Sequence, residues 1–192
     1  PDSKDALAGD KLGKGSMDYD LPAEFIPEYY HKKGALAAAR RAGFGNTAKR
    51  SSASQFYIVQ GQVYTEAELD TLEMAKNQHM KNEMVRQRLI EADNEIQQFK
   101  ANNDREGFVG KVTEIRDRVD SLIKVQNLTF RYSPEQRKVY TTIGGYPSLD
   151  GDYSVFGEVV EGLEVVEKIA SVKTDSNDRP ITDIEMEMEL LK

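Results

Sequence analysis

The sequence has no cysteine, only two histidines and six prolines in 192 residues. Without cysteine there can be no disulfide, no thiolate metal ligand and no thiol nucleophile. His31 and His79 alone cannot build a multi-histidine metal centre, so neither a metal nor a cofactor is expected. A helix that crosses a bilayer needs about 20 consecutive apolar residues; no run approaches that, and no membrane span is expected. Positive charge is not in excess either. Against 26 basic residues stand 33 acidic ones, for a net charge of −7, which argues against a nucleic-acid binder of the electrostatic kind. What remains is a soluble type of chain, 39% apolar and 31% charged, the latter above the ~25% of ordinary domains. The first residues, Pro1-Asp2-Ser3-Lys4, show neither an initiator Met nor a signal pattern. The expectation is a chain that starts inside a longer product.

Texture changes along the chain. Residues 1–61 and 146–192 carry Gly turns and short apolar runs and read as one β domain, whereas 62–145 read as a helical insertion. Within the insertion, Val85, Leu89, Ala92, Ile96 and Phe99 recur at spacings of 4, 3, 4 and 3, and Phe108, Val112, Ile115, Val119 and Leu122 repeat the pattern. Each set is a narrow apolar stripe on a helix. The polar breaker Lys100 to Asp104 between them predicts an antiparallel hairpin. Ser133-Pro134-Glu135 predicts a further short helix, with Ser133 as cap and Gly144-Gly145 as its end. In the flanks, Ile184 to Leu190 alternates strictly and reads as a strand. Gln55 to Val59 and Ser154 to Val159 are rich in aromatic and β-branched residues and read likewise, with Phe56 and Ile58 assigned to the core. Leu163 to Val172 has helical spacing.

Several motifs invite chemistry and fail on context. Ala8 to Ser16 superficially suggests a phosphate loop, but Ala8 and Gly15 occupy the positions that need Gly and Ser or Thr. Gly43 to Ala48 fits the loosest dinucleotide pattern without a helix to follow. Asn127-Leu128-Thr129 is a glycosylation sequon that matters only in a secreted eukaryotic protein. His31 has no recognisable nucleophile pattern or supporting carboxylate nearby, so a hydrogen-bonding role at the start of a strand is the expectation. His79 reads as exposed. Between Lys32 and Arg50 there are six basic residues and no acidic one, which fits either a surface for acidic peptides or a solvated loop.

Taken together, the flanks resemble the cyclophilin family of peptidyl-prolyl isomerases, in its bacterial type. His31-Lys32-Lys33-Gly34-Ala35-Leu36-Ala37-Ala38-Ala39 is similar to the family's H-x-x-G-x-L-S-M-A strand. Ser51 to Ile58 resembles its N-S-x-S-Q-F-F-I strand, Leu149 to Val159 its L-D-G-x-[HY]-x-V-F-G-x-V segment, and Gly162 to Ile169 the helix that follows. The resemblance implies a mainly β fold, a cyclophilin-like antiparallel barrel incomplete in this chain, interrupted by the α-helical hairpin. It implies proline-containing peptides or unfolded proteins as partners, a further protein partner for the hairpin, and a bacterial cytoplasm or periplasm as the compartment, both left open. By resemblance Tyr57, Leu149 and Tyr153 line a proline pocket, and Gln55 with the backbone of Ala39 and Arg40 borders the groove before it. The sequence departs from the family in lacking the F-H-R strand whose Arg is catalytic; that strand would stand upstream of Pro1. Ser148 also takes the usual Trp position and Tyr153 the usual His.

The reaction so implied needs neither metal nor nucleophile. Amide resonance sets a rotation barrier of ~18–20 kcal/mol, and unaided X-Pro bonds exchange over tens to hundreds of seconds. A catalyst must hold the proline ring and stabilise the twisted amide better than the planar one. The other expectation, from a different class, is a peptide-binding or chaperone-like module with little isomerase activity.

Overall fold

A computed structural model describes residues 6–191 apart from 8, 14, 16, 42 and 43. Parts of the Ala8–Ser16 and Gly43–Ala48 segments therefore lie outside the described residues. The chain divides into two compact units, one formed by Pro1–Tyr64 with Lys138–Lys192, the other by Thr65–Arg137. Residues 138–145, part of the helical block by sequence, pack with the strand-bearing unit.

In that unit, β1 (Asp20–Leu21) pairs antiparallel with β3 (Ser51–Ser52). A second sheet has β2 (Ala35–Ala38) at its centre, flanked antiparallel by β4 (Phe56–Ile58) and β5 (Val155–Glu158). Ala37 stands opposite both Tyr57 and Val155. A small residue on the central strand makes room for the larger side chains beside it. Ala35, Ala37, Val59 and Val155 form the buried cluster, with Tyr57 packed against it. The helix α5 (Leu163–Ala170) follows.

Among the described residues the fold is not mainly β: helix takes 43% and strand 11%, and both sheets are open, so a barrel is not shown. Closure requires every strand to be paired on both sides, and among the described residues β4 and β5 each have one neighbour only. Ile184 to Leu190 is not a strand either. Its alternation defines two faces, but a strand exists only through a partner's hydrogen bonds, and Met186, Met188 and Leu190 stay exposed. The assignment of Phe56 and Ile58 to the core is reversed as well. Both are at least 40% exposed, because alternation along β4 turns Tyr57 toward Ala37 and its neighbours away.

The second unit is a helical hairpin. α1 (Glu66–Glu91) runs through a turn at Ala92 into α2 (Asp93–Ala101), and α3 (Arg105–Val125) returns after Asp104, whose carboxylate accepts from Gly107 N–H at 2.8 Å. The direction follows from pairs that converge as the chain reverses: Lys81 meets Asp120, and Lys111 meets Glu95 at 2.8 Å. The seam buries Ile96, Ile115 and Val119, all members of the two predicted stripes. α1 begins well before its stripe, at a capping box in which Thr65 and Glu68 satisfy each other's backbone N–H groups. Its first half is covered by the segment after α3: the Asn77 amide brackets the backbone of Phe130, and Glu73 accepts from Tyr132 N–H at 2.8 Å. α4 (Pro134–Thr142) starts at Ser133, whose hydroxyl accepts from Gln136 N–H, and Gly144 ends it with φ +91°. No helix among the described residues is long and apolar enough to cross a membrane.

Candidate functional site

The polar centre of the strand-bearing unit is His31, 1% exposed, one residue into the segment that leads to β2. Its position is set by backbone pairing: Tyr146 N–H donates to the His31 carbonyl at 2.7 Å, and Lys33 N–H donates to Gly144 at 2.9 Å. Gly145 fits only because it has no side chain. A Cβ there would lie 2.3 Å from the His31 carbonyl oxygen and 2.6 Å from the Tyr140 ring. These turns bring together residues more than a hundred positions apart.

Around His31 the side chains form a continuous chain of hydrogen bonds. His31 Nδ1 lies 2.8 Å from Asp150 Oδ1, and its backbone N–H donates to the same oxygen at 2.9 Å. The Tyr140 hydroxyl donates to Asp150 Oδ2 at 2.6 Å. On the far side of the ring, Nε2 stands 3.1 Å from the Tyr57 hydroxyl. The Tyr57 and His31 rings are nearly parallel, 6.2 Å apart, and Tyr153 is edge-on to both. Burial pushes the Tyr57 phenol above its ordinary pKa, Tyr153 and Asp150 add to the shift, and the Arg40 cation opposes it.

Arg40 caps this group. Its guanidinium lies 4.7 Å from the Tyr153 ring centre, in the range of a cation–π contact, and 3.7 Å from Asp152. Its buried Nε has no hydrogen-bond partner. Among the residues singled out from sequence, the structure therefore brings Tyr57, Tyr153 and Arg40 together. Leu149 ends the 3₁₀ turn just before Asp150 and accepts from Tyr153 N–H at 3.2 Å. Ala39 spends its N–H on Gln55 and receives Ser52 N–H on its carbonyl. The Gln55 amide donates to the carbonyls of Gly13 and Gly15. Both residues are thus engaged within the chain.

Sequence reasoning missed Asp150 and Tyr140. Asp150 is visible in the sequence only as part of a turn and of the L-D-G segment, and Tyr140 as one more residue of a polar helix, since nothing local marks His31 as a partner of Asp150 across 119 positions. The basic stretch is also partly paired. Lys32 pairs with Glu158, Lys33 with Glu167, Lys49 with Asp152, and Arg50 donates to the Asp20 carbonyl. Carboxylates from distant segments thus pair with several of its cations, and Arg50 is held by a backbone carbonyl. Among the described residues no group of three or more His, Asp or Glu converges as a metal site.

Comparison with known proteins adds an independent finding. Residues 136–189 match the family model described as cyclophilin type peptidyl-prolyl cis-trans isomerase/CLD. Over 47 residues the chain is 43% identical to peptidyl-prolyl cis-trans isomerase CYP18-2 of Arabidopsis thaliana, which covers 24% of this chain and 29% of that protein. It is 47% identical over 47 residues to peptidyl-prolyl cis-trans isomerase CYP71 of the same plant, across 24% of this chain and 7% of that protein. A putative peptidyl-prolyl cis-trans isomerase of Staphylococcus saprophyticus is 43% identical over 47 residues, 24% of each chain. The chain thus spans less than a third of the length of each relative. The matched stretch, residues 136–189, includes Tyr140, Leu149, Asp150 and Tyr153.

Proposed function

We propose that the strand-bearing unit is the pocket-bearing part of a cyclophilin-type peptidyl-prolyl cis-trans isomerase, interrupted by the helical hairpin. One observation carries this reading. Asp150 and Tyr153, from the matched stretch, are hydrogen-bonded or stacked with His31 and Tyr57, from the flank that resembles the same family. The face made by Tyr57, Leu149 and Tyr153 would hold the proline ring, and Arg40 would border the residues before it.

The mechanism asks little of covalent chemistry. Seating the proline ring fixes one side of the X-Pro bond while the other side turns. Donors aimed at the turning carbonyl lower the barrier only if they bind the twisted amide better than the planar one. The family's Arg strand does not occur in residues 1–192, and loss of one such donor costs about 10²–10³ in rate. Residues 1–192 by themselves are therefore expected to bind an X-Pro peptide yet exchange it at close to the uncatalysed rate. Extension upstream with an Arg-bearing strand should restore turnover, and Arg→Ala there should abolish it.

A titration of ¹⁵N-labelled protein with an Ala-Ala-Pro-Phe peptide tests the reading. Amide shifts should move at Tyr57, Leu149 and Tyr153, and their absence at saturating peptide would overturn it. Ser148 offers no indole where the family has Trp, so cyclosporin-type ligands should bind weakly; nanomolar binding contradicts that.

The second reading, a peptide-binding or chaperone-like module, is favoured by a groove in the helical unit. Met74, Met80, Ile123 and Phe130 line it beside Asp70 and Lys81. Shifts confined to those residues on adding an unfolded protein would support it.

A further inference from the structure

The proposed pocket has a tyrosine, Tyr57, where the resembling family pattern has phenylalanine, and its hydroxyl is tied to buried groups. The direction of every hydrogen bond behind it can be worked out. An ionised carboxylate only accepts, so Asp150 receives the Tyr140 hydroxyl at 2.6 Å, the His31 backbone N–H at 2.9 Å, and His31 Nδ1 at 2.8 Å. The ring proton of His31 therefore sits on Nδ1. In the neutral form of the imidazole, which carries a single N–H, Nε2 is then an acceptor, and the Tyr57 hydroxyl 3.1 Å away is placed to donate to it.

We propose that His31 and Asp150, braced by Tyr140, are positioning residues that lock the Tyr57 hydroxyl inward and so fix its ring as a wall of the peptide-binding pocket. The inference rests on the pocket reading above. His31 and Tyr140 are 1% and 0% exposed, so water does not reach the ring of His31 that carries the chain. Tyr153, edge-on to Tyr57 at 5.9 Å between ring centres, closes the other side. The proton of Tyr57 is spent inside the protein, and its oxygen offers only lone pairs to a bound peptide. Tyr57 is then a shaping residue and not the donor to the turning carbonyl. With phenylalanine in its place the ring would keep its area but lose its tether, and Nε2 would lose its partner.

Two measurements on residues 1–192 test this. Long-range ¹H–¹⁵N correlation of the imidazoles, with His79→Gln to assign the signals, should show His31 protonated on Nδ1 and bare on Nε2. A ring protonated on Nε2, or on both nitrogens, overturns the proposal. The second is the affinity for the Ala-Ala-Pro-Phe peptide in a double-mutant cycle. Tyr57→Phe removes the donor. Asp150→Asn turns an amide N–H toward Nδ1 and drives the ring proton to Nε2, so that Tyr57 loses its acceptor. Each change should weaken binding about three- to tenfold, and the pair no more than the stronger single change. Additive losses, or unchanged binding with Tyr57→Phe, sink the proposal. If Asp150→Asn does not fold, Tyr57→Phe and the imidazole spectrum still decide. If the unaltered protein does not bind the peptide at all, the pocket reading fails, and the spectrum still decides the hydrogen-bond chain.

Discussion

The helical unit and the strand-bearing unit are held together by different physics. In the helices, apolar residues at 3.6-residue spacing meet along one seam, and Ile96, Ile115 and Val119 are buried there. Most of its partners lie on neighbouring helices joined by short turns. In the strand-bearing unit the apolar cluster is small, built on Ala35, Ala37, Val59 and Val155. Its centre is polar, and the His31–Asp150 link spans 119 residues. Apolar contacts have no direction and tolerate small shifts, whereas the chain from Tyr140 to Tyr57 works only with each proton in place. The first unit should therefore respond to lost volume, the second to lost geometry.

Ile115→Ala should have the largest effect, about 2–5 kcal/mol, because it opens a cavity in the seam. Hydrogen exchange should show protection lost across α1 to α3; unchanged protection there would mean the seam does not hold the hairpin. Gly145→Ala should follow at about 1–3 kcal/mol, since its Cβ collides with the His31 carbonyl and the Tyr140 ring. Its signature is lost protection at Ala35 and Val59 with α3 unaffected. Equal loss in both units would erase the contrast.

Arg137→Ala probes the polar exception within the helical unit. Arg137 meets Glu66, Asp70 and Glu73, and hydrogen bonds to Asp70 first and Glu66 next raise its pKa. Its removal leaves the buried Glu73 with the Tyr132 N–H and, at 3.9 Å, Arg131, and a loss of about 1–2 kcal/mol is expected after discounting for exposure. Recovery by Glu73→Gln in the same protein would confirm that the buried charge is the cause. The smallest effect concerns acid. The Thr65 backbone N–H, and then its hydroxyl, hold the Glu68 carboxyl below the usual carboxylate range. A depressed folded value stabilises above the unfolded pKa and is lost as pH falls through the folded one. The first turn of α1 should thus fray on acidification, read by exchange at residues 66–69, and Glu68→Gln should remove that dependence. Equal acid fraying in the variant would show that Glu68 is not responsible.

The share legible in the sequence follows the same divide. The stripes, the breaker before Asp104, the Ser133 cap and the Gly144 stop were readable, because a helix is specified by neighbours three or four positions apart. The Thr65–Glu68 box is an equally local signal, three residues apart, and marks the start of α1. Strand segments around Tyr57 and Val155 were found, but the facing of Phe56 and Ile58 was reversed and Ile184 to Leu190 was wrongly read as paired.

By itself the sequence determined the local elements, the exclusion of thiol chemistry and the cyclophilin-like motifs, since each depends on residue identity or short spacing. Only the tertiary structure decided that Tyr140, Asp150, His31 and Tyr57 join in one chain, that carboxylates from elsewhere pair with Lys32, Lys33 and Lys49, and that Ala39 is already hydrogen-bonded. Such contacts lie outside any helix or strand period, and the His31–Asp150 link spans 119 residues; loop closure costs entropy but leaves no periodic mark, and a side chain's partner is fixed by where the backbone turns bring it.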